Sequence, residues 1–164
     1  EVLSASRRLA VRDIAHSVVY LLEPSRLRQH RSEGERAHQA SAACIDEWYP
    51  ADVLPRVFVT HTRPEAILGL LGHLHTGART RGLGYVNHGG TLTTPGMLFV
   101  NGCTWAHILV EVARVLDLPR EMLLSARELQ ALDGQASPHG VVVPDVRDEV
   151  AVPSAHVRFT SAPS

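Results

Sequence analysis

Apolar residues recur along the chain in two patterns that predict different elements. Between residues 104 and 116 they recur every three or four positions, which is the period of an amphipathic helix. The apolar positions of this helix are Trp105, Ile108, Leu109, Val112, Val115 and Leu116. Short runs at residues 16–22, 56–60 and 83–87 are strand candidates instead, and the first is typical of a strand buried in a parallel sheet.

Further helices are predicted from the helical period and from helix-start signals. They cover residues 1–13, 35–48, 62–74 and 120–132, and a further helix starts at Thr94-Pro95. In the helix predicted over residues 35–48, the side chains expected to face the core are Ala37, Ala40, Cys44 and Trp48. Between the first strand and this second helix, the polar stretch from Arg26 to Gly34 is predicted to be a surface loop.

Two details of these helices can be tested directly. In the first helix, Arg7, Arg8 and Arg12 are expected to face water, opposite the apolar face that contains Leu9. At the start of the helix after residue 61, Thr62 and Glu65 have the spacing of a capping box. Pro64 fits that first turn, where its missing amide hydrogen has no intrahelical acceptor to lose.

Strand and helix alternate from Asp13 to Leu116, which predicts an α/β layered fold with a mainly parallel sheet. Residues 1–133 are predicted to form one domain, since 164 residues suffice for a single compact core. From Gly134 onward prolines and small residues dominate, so residues 134–164 are predicted to be an extended C-terminal tail.

The composition argues against several classes of function. The net charge of −1 argues against a nucleic-acid partner. No uninterrupted apolar run approaches the roughly 20 residues that a membrane-spanning helix needs. The first ten residues do not have the pattern of a signal peptide, so a cytoplasmic location is predicted. All sixteen basic residues are arginine, which excludes Schiff-base chemistry on a lysine of this chain.

The segment from Val57 to Leu109 resembles the C-terminal domain of the phosphoketolase family. The matching positions are Gly84, Tyr85, Gly90, Thr91, Thr93, Thr94, Pro95, Met97, Asn101 and His107. Residues 18–27 resemble the family's upstream strand, and residues 144–148 resemble a short motif near its end. The acidic pair that the family has before the glycine is replaced by Asn87-His88-Gly89.

The resemblance implies the transketolase-type C-terminal fold, three layers around a mainly parallel sheet. Since that fold begins with a strand and this chain is predicted to begin with a helix, we expect the chain to lack the fold's own first strand. The resemblance also implies a role without catalysis, in a dimeric or higher assembly with cofactor-binding domains or subunits. Those partners would hold thiamine diphosphate and Mg²⁺ and cleave a sugar phosphate of the ketose class.

Two loops follow predicted strands and precede predicted helix starts, where free amides favour anions. One contains His61 and Arg63, and the other contains Asn87, His88, Gly89, Gly90 and Thr91. Contacts between domains are one interpretation of these loops. Alternatively, the loops bind the phosphate of a substrate. If they bind a small anionic effector instead, the chain is a regulatory module.

The remaining candidates for chemistry are less specific. His73 and His75 lie two positions apart, which places them on different helix faces, so no metal site is predicted. A small hydrolase could use Cys44 or Ser41 as its nucleophile. Neither residue lies in a recognisable nucleophile-elbow motif, the sharp strand-to-helix turn that exposes such a side chain. The cysteines are expected to be small apolar side chains, and His107 a hydrogen-bonded structural histidine.

Overall fold

The computed structural model describes residues 1–74, 79–86 and 90–142, and the backbone of residues 157–160. The predicted site residues Asn87, His88 and Gly89 lie outside the described residues. So do most of the positions assigned to the C-terminal tail. The domain boundary after residue 133 therefore stays a prediction.

The described strands pair in parallel, in two sheets of two strands each. β1 (Val18–Leu21) lies beside β4 (Val157–Thr160), and β2 (Arg56–Val59) lies beside β3 (Thr80–Leu83). Together with the helices, this arrangement is a mixed α/β fold with parallel strand pairing, as the alternation of elements predicted.

The described ranges also contain eight α-helices. They are α1 (Val2–Val11), α2 (Glu33–Arg36), α3 (Ala42–Trp48), α4 (Pro64–Leu71), α5 (Thr94–Val100), α6 (Trp105–Leu116), α7 (Ala126–Leu132) and α8 (His139–Val142). Short 3₁₀ helices occupy Pro24–Leu27 and Arg120–Met122. The described fold is thus richer in helix than in strand.

The main core is built around α6, as the hydrophobic period predicted. Trp105, Ile108 and Leu109 of α6 are buried against residues of α1, α7 and the segment before α7. A second, smaller core lies beside the β2–α4–β3 unit and consists of Leu27, Ala40, Tyr49, Leu71 and Leu74. Two separate apolar clusters therefore hold the described chain together.

The prediction that Arg8 faces water is wrong. Arg8 is buried, its guanidinium is paired with Glu128, and it lies 5.1 Å from the centre of the Trp105 ring. Leu3, an apolar residue of the same helix, is exposed. A charged side chain occupies the inner face because a carboxylate on another helix compensates its charge there.

The predicted capping box at Thr62 and Glu65 is also wrong. α4 starts one residue later, with Arg63 at the N-cap position and no side chain bonded there. The Thr62 hydroxyl lies 3.0 Å from the Thr60 hydroxyl, so it serves the turn after β2 and not the helix. Pro64 does occupy the first turn of α4, as predicted.

Two predicted helices are each interrupted. The one over residues 35–48 is divided because the Ala40 amide donates to the Arg26 carbonyl, at 2.8 Å, and Ser41 starts α3 by accepting from the Cys44 amide. The one over residues 120–132 is divided by Ser125, which forms a capping box with Glu128 at the start of α7. Local caps thus override a continuous helical period.

Three other segments depart from their predicted form. The third strand begins at Thr80, ahead of the predicted Leu83, because its register is set by pairing with β2. The loop from Arg26 to Gly34 is not wholly a surface feature, since Leu27 is 1% exposed. In the predicted tail, residues 139–142 form a helical turn, and Val141 is completely buried in the main core.

One stretch, Thr94–Leu116, is long and apolar enough to cross a membrane by length and composition alone, with a mean hydropathy of 1.3. In the structure this stretch is two helices, separated at Asn101–Thr104. Its second half is the central helix of the main core. We therefore interpret it as a core segment; a cytoplasmic location stays a prediction.

Candidate functional site

The carboxyl ends of β2 and β3 meet at one edge of their sheet, where ligands bind in open parallel sheets. The Thr60 amide donates to the Leu83 carbonyl at 2.9 Å, and the Tyr85 amide donates to the Thr62 carbonyl at 3.0 Å. These bonds extend the pairing beyond the strands. We call this region, with residues Thr60, Thr62, Gly84, Tyr85, Val86 and Asn101, the strand-end junction.

Gly84 is required by the close approach of two chain segments at this junction. A Cβ atom at this position would lie 2.2 Å from the Thr62 carbonyl oxygen and 3.0 Å from Pro64 Cδ. Real side chains do not tolerate such distances from backbone atoms. Glycine therefore lets the segment after β3 pass directly over the turn that precedes α4.

Asn101 connects the junction to the helices of the main core. Its side-chain oxygen accepts from the Val86 amide at 3.1 Å, and its side-chain nitrogen donates to the Met97 carbonyl at 2.8 Å. Asn101 is buried, so both bonds are made away from water. The side chain fixes the end of α5 against the segment that follows β3.

The predicted site residues within the described ranges lie on the surface. His61 and Arg63 are exposed in the turn between β2 and α4, and Gly90 and Thr91 are exposed before α5. The structure brings the His61 turn together with Tyr85 through the bond between Thr62 and Tyr85. Where Asn87, His88 and Gly89 lie relative to this turn is outside the described residues.

Arg56 is a structural residue that the sequence analysis missed. Its guanidinium donates to three carbonyl oxygens, those of Val53, Pro50 and Leu74, and lies over the Tyr49 ring. Burial raises the pKa of Tyr49 to about 12, with a smaller opposing effect from Arg56. Burial lowers the pKa of Arg56 itself. Arg56 is the first residue of β2, and its position in the sequence does not predict these hydrogen bonds.

His107 and Cys103 have the structural roles that were predicted for them. His107 is hydrogen-bonded to the Thr104 hydroxyl at 2.7 Å, packs edge-on against Phe99, and has a pKa lowered by burial. Cys103 is a buried free thiol whose pKa is raised chiefly by burial. Of the two residues considered as nucleophiles, Cys44 is a half-buried free thiol and Ser41 uses its hydroxyl to cap α3.

No three His, Cys, Asp or Glu side chains within the described ranges lie close enough together to hold a metal ion. What the strand-end junction offers is hydrogen-bonded backbone and exposed side chains, which suit contact with another surface.

Comparison with known proteins gave no match to a protein-family model, to a curated protein or to a solved structure.

Proposed function

We propose that this chain is the C-terminal domain or a subunit of a thiamine-diphosphate-dependent phosphoketolase- or transketolase-like enzyme. In this proposal it has a structural and interface role, and other domains hold the cofactor and Mg²⁺. Its two strand pairs would belong to the three-layer, mainly parallel sheet of the transketolase-type C-terminal domain. The resemblance of residues 57–109 to the phosphoketolase family is the basis of the assignment.

Four of the residues that carry the resemblance have identifiable roles, two in the strand-end junction and two at the start of α5. Gly84 allows the close approach to the turn after β2, and Asn101 ties that segment to α5. Pro95 lies in the first turn of α5, and the Thr93 hydroxyl caps that helix. Each of these four residues therefore has a defined structural role, as the proposed fold requires of them.

Exposed apolar side chains around the junction are the observation that carries the interface role. Val59, Tyr85 and Val100 are 37%, 37% and 40% exposed. Val59 ends β2, Tyr85 is bonded to the turn that follows β2, and Val100 precedes Asn101. Exposed apolar side chains beside the edge of a sheet are candidates for contact with another protein surface.

The proposed reaction of the assembled enzyme is cleavage of a ketose phosphate next to its carbonyl group. Thiamine diphosphate, bound by the partner domains, would supply the carbanion stabilisation that this cleavage needs. Phosphate, or an aldehyde in a transketolase-type reaction, would accept the two-carbon fragment. This chain would contribute the surface on which those domains close, with His61 and Arg63 beside it.

The test is purification of the protein from its native locus with a tag, followed by identification of what is recovered. We expect a larger thiamine-diphosphate-binding polypeptide, or the tag on a longer chain that contains such domains. The recovered assembly should cleave a ketose phosphate and, with inorganic phosphate present, form an acyl phosphate. Recovery of a solitary, monomeric chain without this activity contradicts the proposal.

A surface variant makes the test specific to the junction. Val59→Glu places a charge on the proposed interface and should reduce recovery of the partner by about tenfold or more, since burial of an unpaired charge is strongly unfavourable. Met122→Glu is the matched control, because Met122 is an exposed apolar side chain in the 3₁₀ helix before α7. Equal losses in the two variants would remove the junction from the proposed interface.

A further inference from the structure

A surface cavity of about 270 Å³ lies away from the strand-end junction, between the 3₁₀ helix after β1 and α2. Its lining is rich in nitrogen donors and consists of Ser25, Arg26, Arg28, His30, Glu35, His38 and Gln39. The Ala40 amide donates to the Arg26 carbonyl at 2.8 Å and joins the two chain segments that line the cavity. The size suits a small organic molecule and exceeds what one or two waters need.

The single carboxylate of the cavity wall is already neutralised. Glu35 pairs with Arg28 at 2.7 Å and with Arg31 at 2.8 Å, so two guanidinium groups share one negative charge. The hydrogen bonds from Arg31 are the main cause that lowers the pKa of Glu35 to about 2. The carboxylate therefore stays ionised and engaged with arginine, and it leaves positive charge in excess at the wall.

Arg26 adds an unsatisfied donor to this wall. Its Nε atom is buried and, within the part of the chain that the structure describes, has no hydrogen-bond partner. Among the described residues, the Arg26 guanidinium forms an ion pair with Glu23 at 3.4 Å. The Glu23 side chain is 65% exposed, so this pair is weakened by water. A buried donor without an acceptor is unfavourable, and the same side chain lines the cavity, where its guanidinium can take an anion as a partner beside Glu23.

The two histidines of the cavity favour an anion over a metal ion. His30 is bonded through Nδ1 to the Gln39 side-chain oxygen at 2.8 Å, and its Nε2 atom accepts from Arg36. Both ring nitrogens are thus occupied, which leaves none for a metal. His38 is exposed at the cavity and presents an imidazole that can donate to an oxygen ligand.

We propose that this cavity binds a phosphate dianion, either free or as the phosphate group of a small organic phosphate. Arg26 and Arg28 would hold its oxygens, as planar guanidinium groups hold phosphate, and His38 would lie beside them. The site is separate from the strand-end junction, so it does not depend on the function proposed above.

The experiment measures protection of individual histidines from modification by diethyl pyrocarbonate, read residue by residue by mass spectrometry. The protein from its native locus, with whatever co-purifies, is treated above pH 7 with and without inorganic phosphate at constant ionic strength. We expect phosphate to slow modification of His38 but not of His73, an exposed histidine after α4, nor of His61 at the junction. A glycerol phosphate arm separates the two sources: stronger protection by the monoester indicates an organic phosphate.

Variants connect the protection to the cavity. Arg26→Gln should weaken it by about tenfold, which corresponds to the loss of one charge-assisted hydrogen bond. Arg28→Gln is the second variant if Arg26→Gln does not fold, and Arg7→Gln, which removes an exposed arginine of α1, is the control that should leave the protection of His38 unchanged. Three results would overturn the proposal: no protection, equal protection of all three histidines, or protection of His61 alone. Unchanged protection of His38 in whichever of Arg26→Gln and Arg28→Gln folds would overturn it as well.

Discussion

The Arg8 guanidinium donates to both oxygens of the Glu128 carboxylate, from Nη2 to Oε1 at 3.0 Å and from Nη1 to Oε2 at 3.3 Å. The two side chains are 9% and 12% exposed, and they join α1 to α7 across 120 positions of sequence. Glu128 also accepts from the Ser125 amide at 2.7 Å. One carboxylate therefore both caps α7 and compensates a buried charge on α1.

Breaking this pair from the arginine side should be strongly destabilising. Arg8→Met leaves a mostly buried carboxylate without its cation, and we expect the free energy of unfolding to fall by about 3 kcal/mol. Adding Glu128→Gln should restore part of the loss, because glutamine carries no charge and can still serve the capping box. Denaturant unfolding of the single and double variants measures both values; additive losses would contradict the account.

The close approach at Gly84 predicts opposite effects of two glycine-to-alanine changes. Gly84→Ala drives a Cβ atom against the Thr62 carbonyl, so we expect a loss of about 3 kcal/mol or more in unfolding free energy. Gly69→Ala, inside α4 with nothing within 4 Å of its added Cβ, should stabilise by about 1 kcal/mol. Thermal unfolding distinguishes them, and a neutral Gly84→Ala would show that the junction is looser than described.

Asn101 can be separated into its acceptor and donor roles. Asn101→Ala leaves the Val86 amide without its partner, which should cost about 2 kcal/mol and speed hydrogen exchange at Val86. Asn101→Asp keeps an acceptor for Val86 and loses the donor to the Met97 carbonyl. We therefore expect slow exchange at Val86 to persist in the aspartate variant; exchange as fast as in the alanine variant would contradict the assigned bond.

Because His107 is buried, we expect the protein to lose stability on mild acidification. Burial lowers its pKa below the ordinary value of 6.5, so as the pH falls the unfolded chain takes up the proton first. The stabilisation is fully present above about pH 7 and is lost as the pH falls through the ordinary histidine range. His107→Asn, which does not titrate, should reduce the dependence of unfolding free energy on pH between about 7.5 and 5.5. An unchanged slope would rule out this origin.

The Glu35 cluster predicts a loss of stability in the same direction as His107, but at a lower pH. The arginine hydrogen bonds lower the pKa of Glu35 from 4.5 to about 2, so its contribution is present above 4.5 and lost only as the pH falls toward 2. The carboxyl carbon chemical shift of Glu35, followed by NMR, measures this directly. Arg31→Gln should move the midpoint of the titration upward; a midpoint unaffected by the change would place the cause elsewhere.

Some elements were predictable because their signals are local. The period of α6 and the proline in the first turn of α4 need no distant partner, and the structure has both. Other signals were present in the sequence and were not used. Ser125 and Glu128 have the capping-box spacing, and Ser41 precedes α3, so both helix starts could have been found from sequence.

Of the candidate site, the sequence identified the His61 turn and the Gly84-Tyr85 pair but not the bonds between them. The hydrogen bond from Tyr85 to Thr62 joins segments on either side of α4, and no local pattern encodes it. The arginine-lined cavity was predicted only as a polar surface loop. The segments that line it are joined by the hydrogen bond from Ala40 to Arg26, which no local sequence pattern predicts.

The sequence by itself determined the class of fold and the central helix, because hydrophobic period and strand–helix alternation are properties of neighbouring residues. Tertiary structure alone decided which arginines are buried, which strand register is used, and which side chains meet. Arg8 and Arg56 look like surface residues in sequence, yet each is buried because acceptors from other segments compensate its donors. Burial of a charge depends on a partner that only the folded chain brings near.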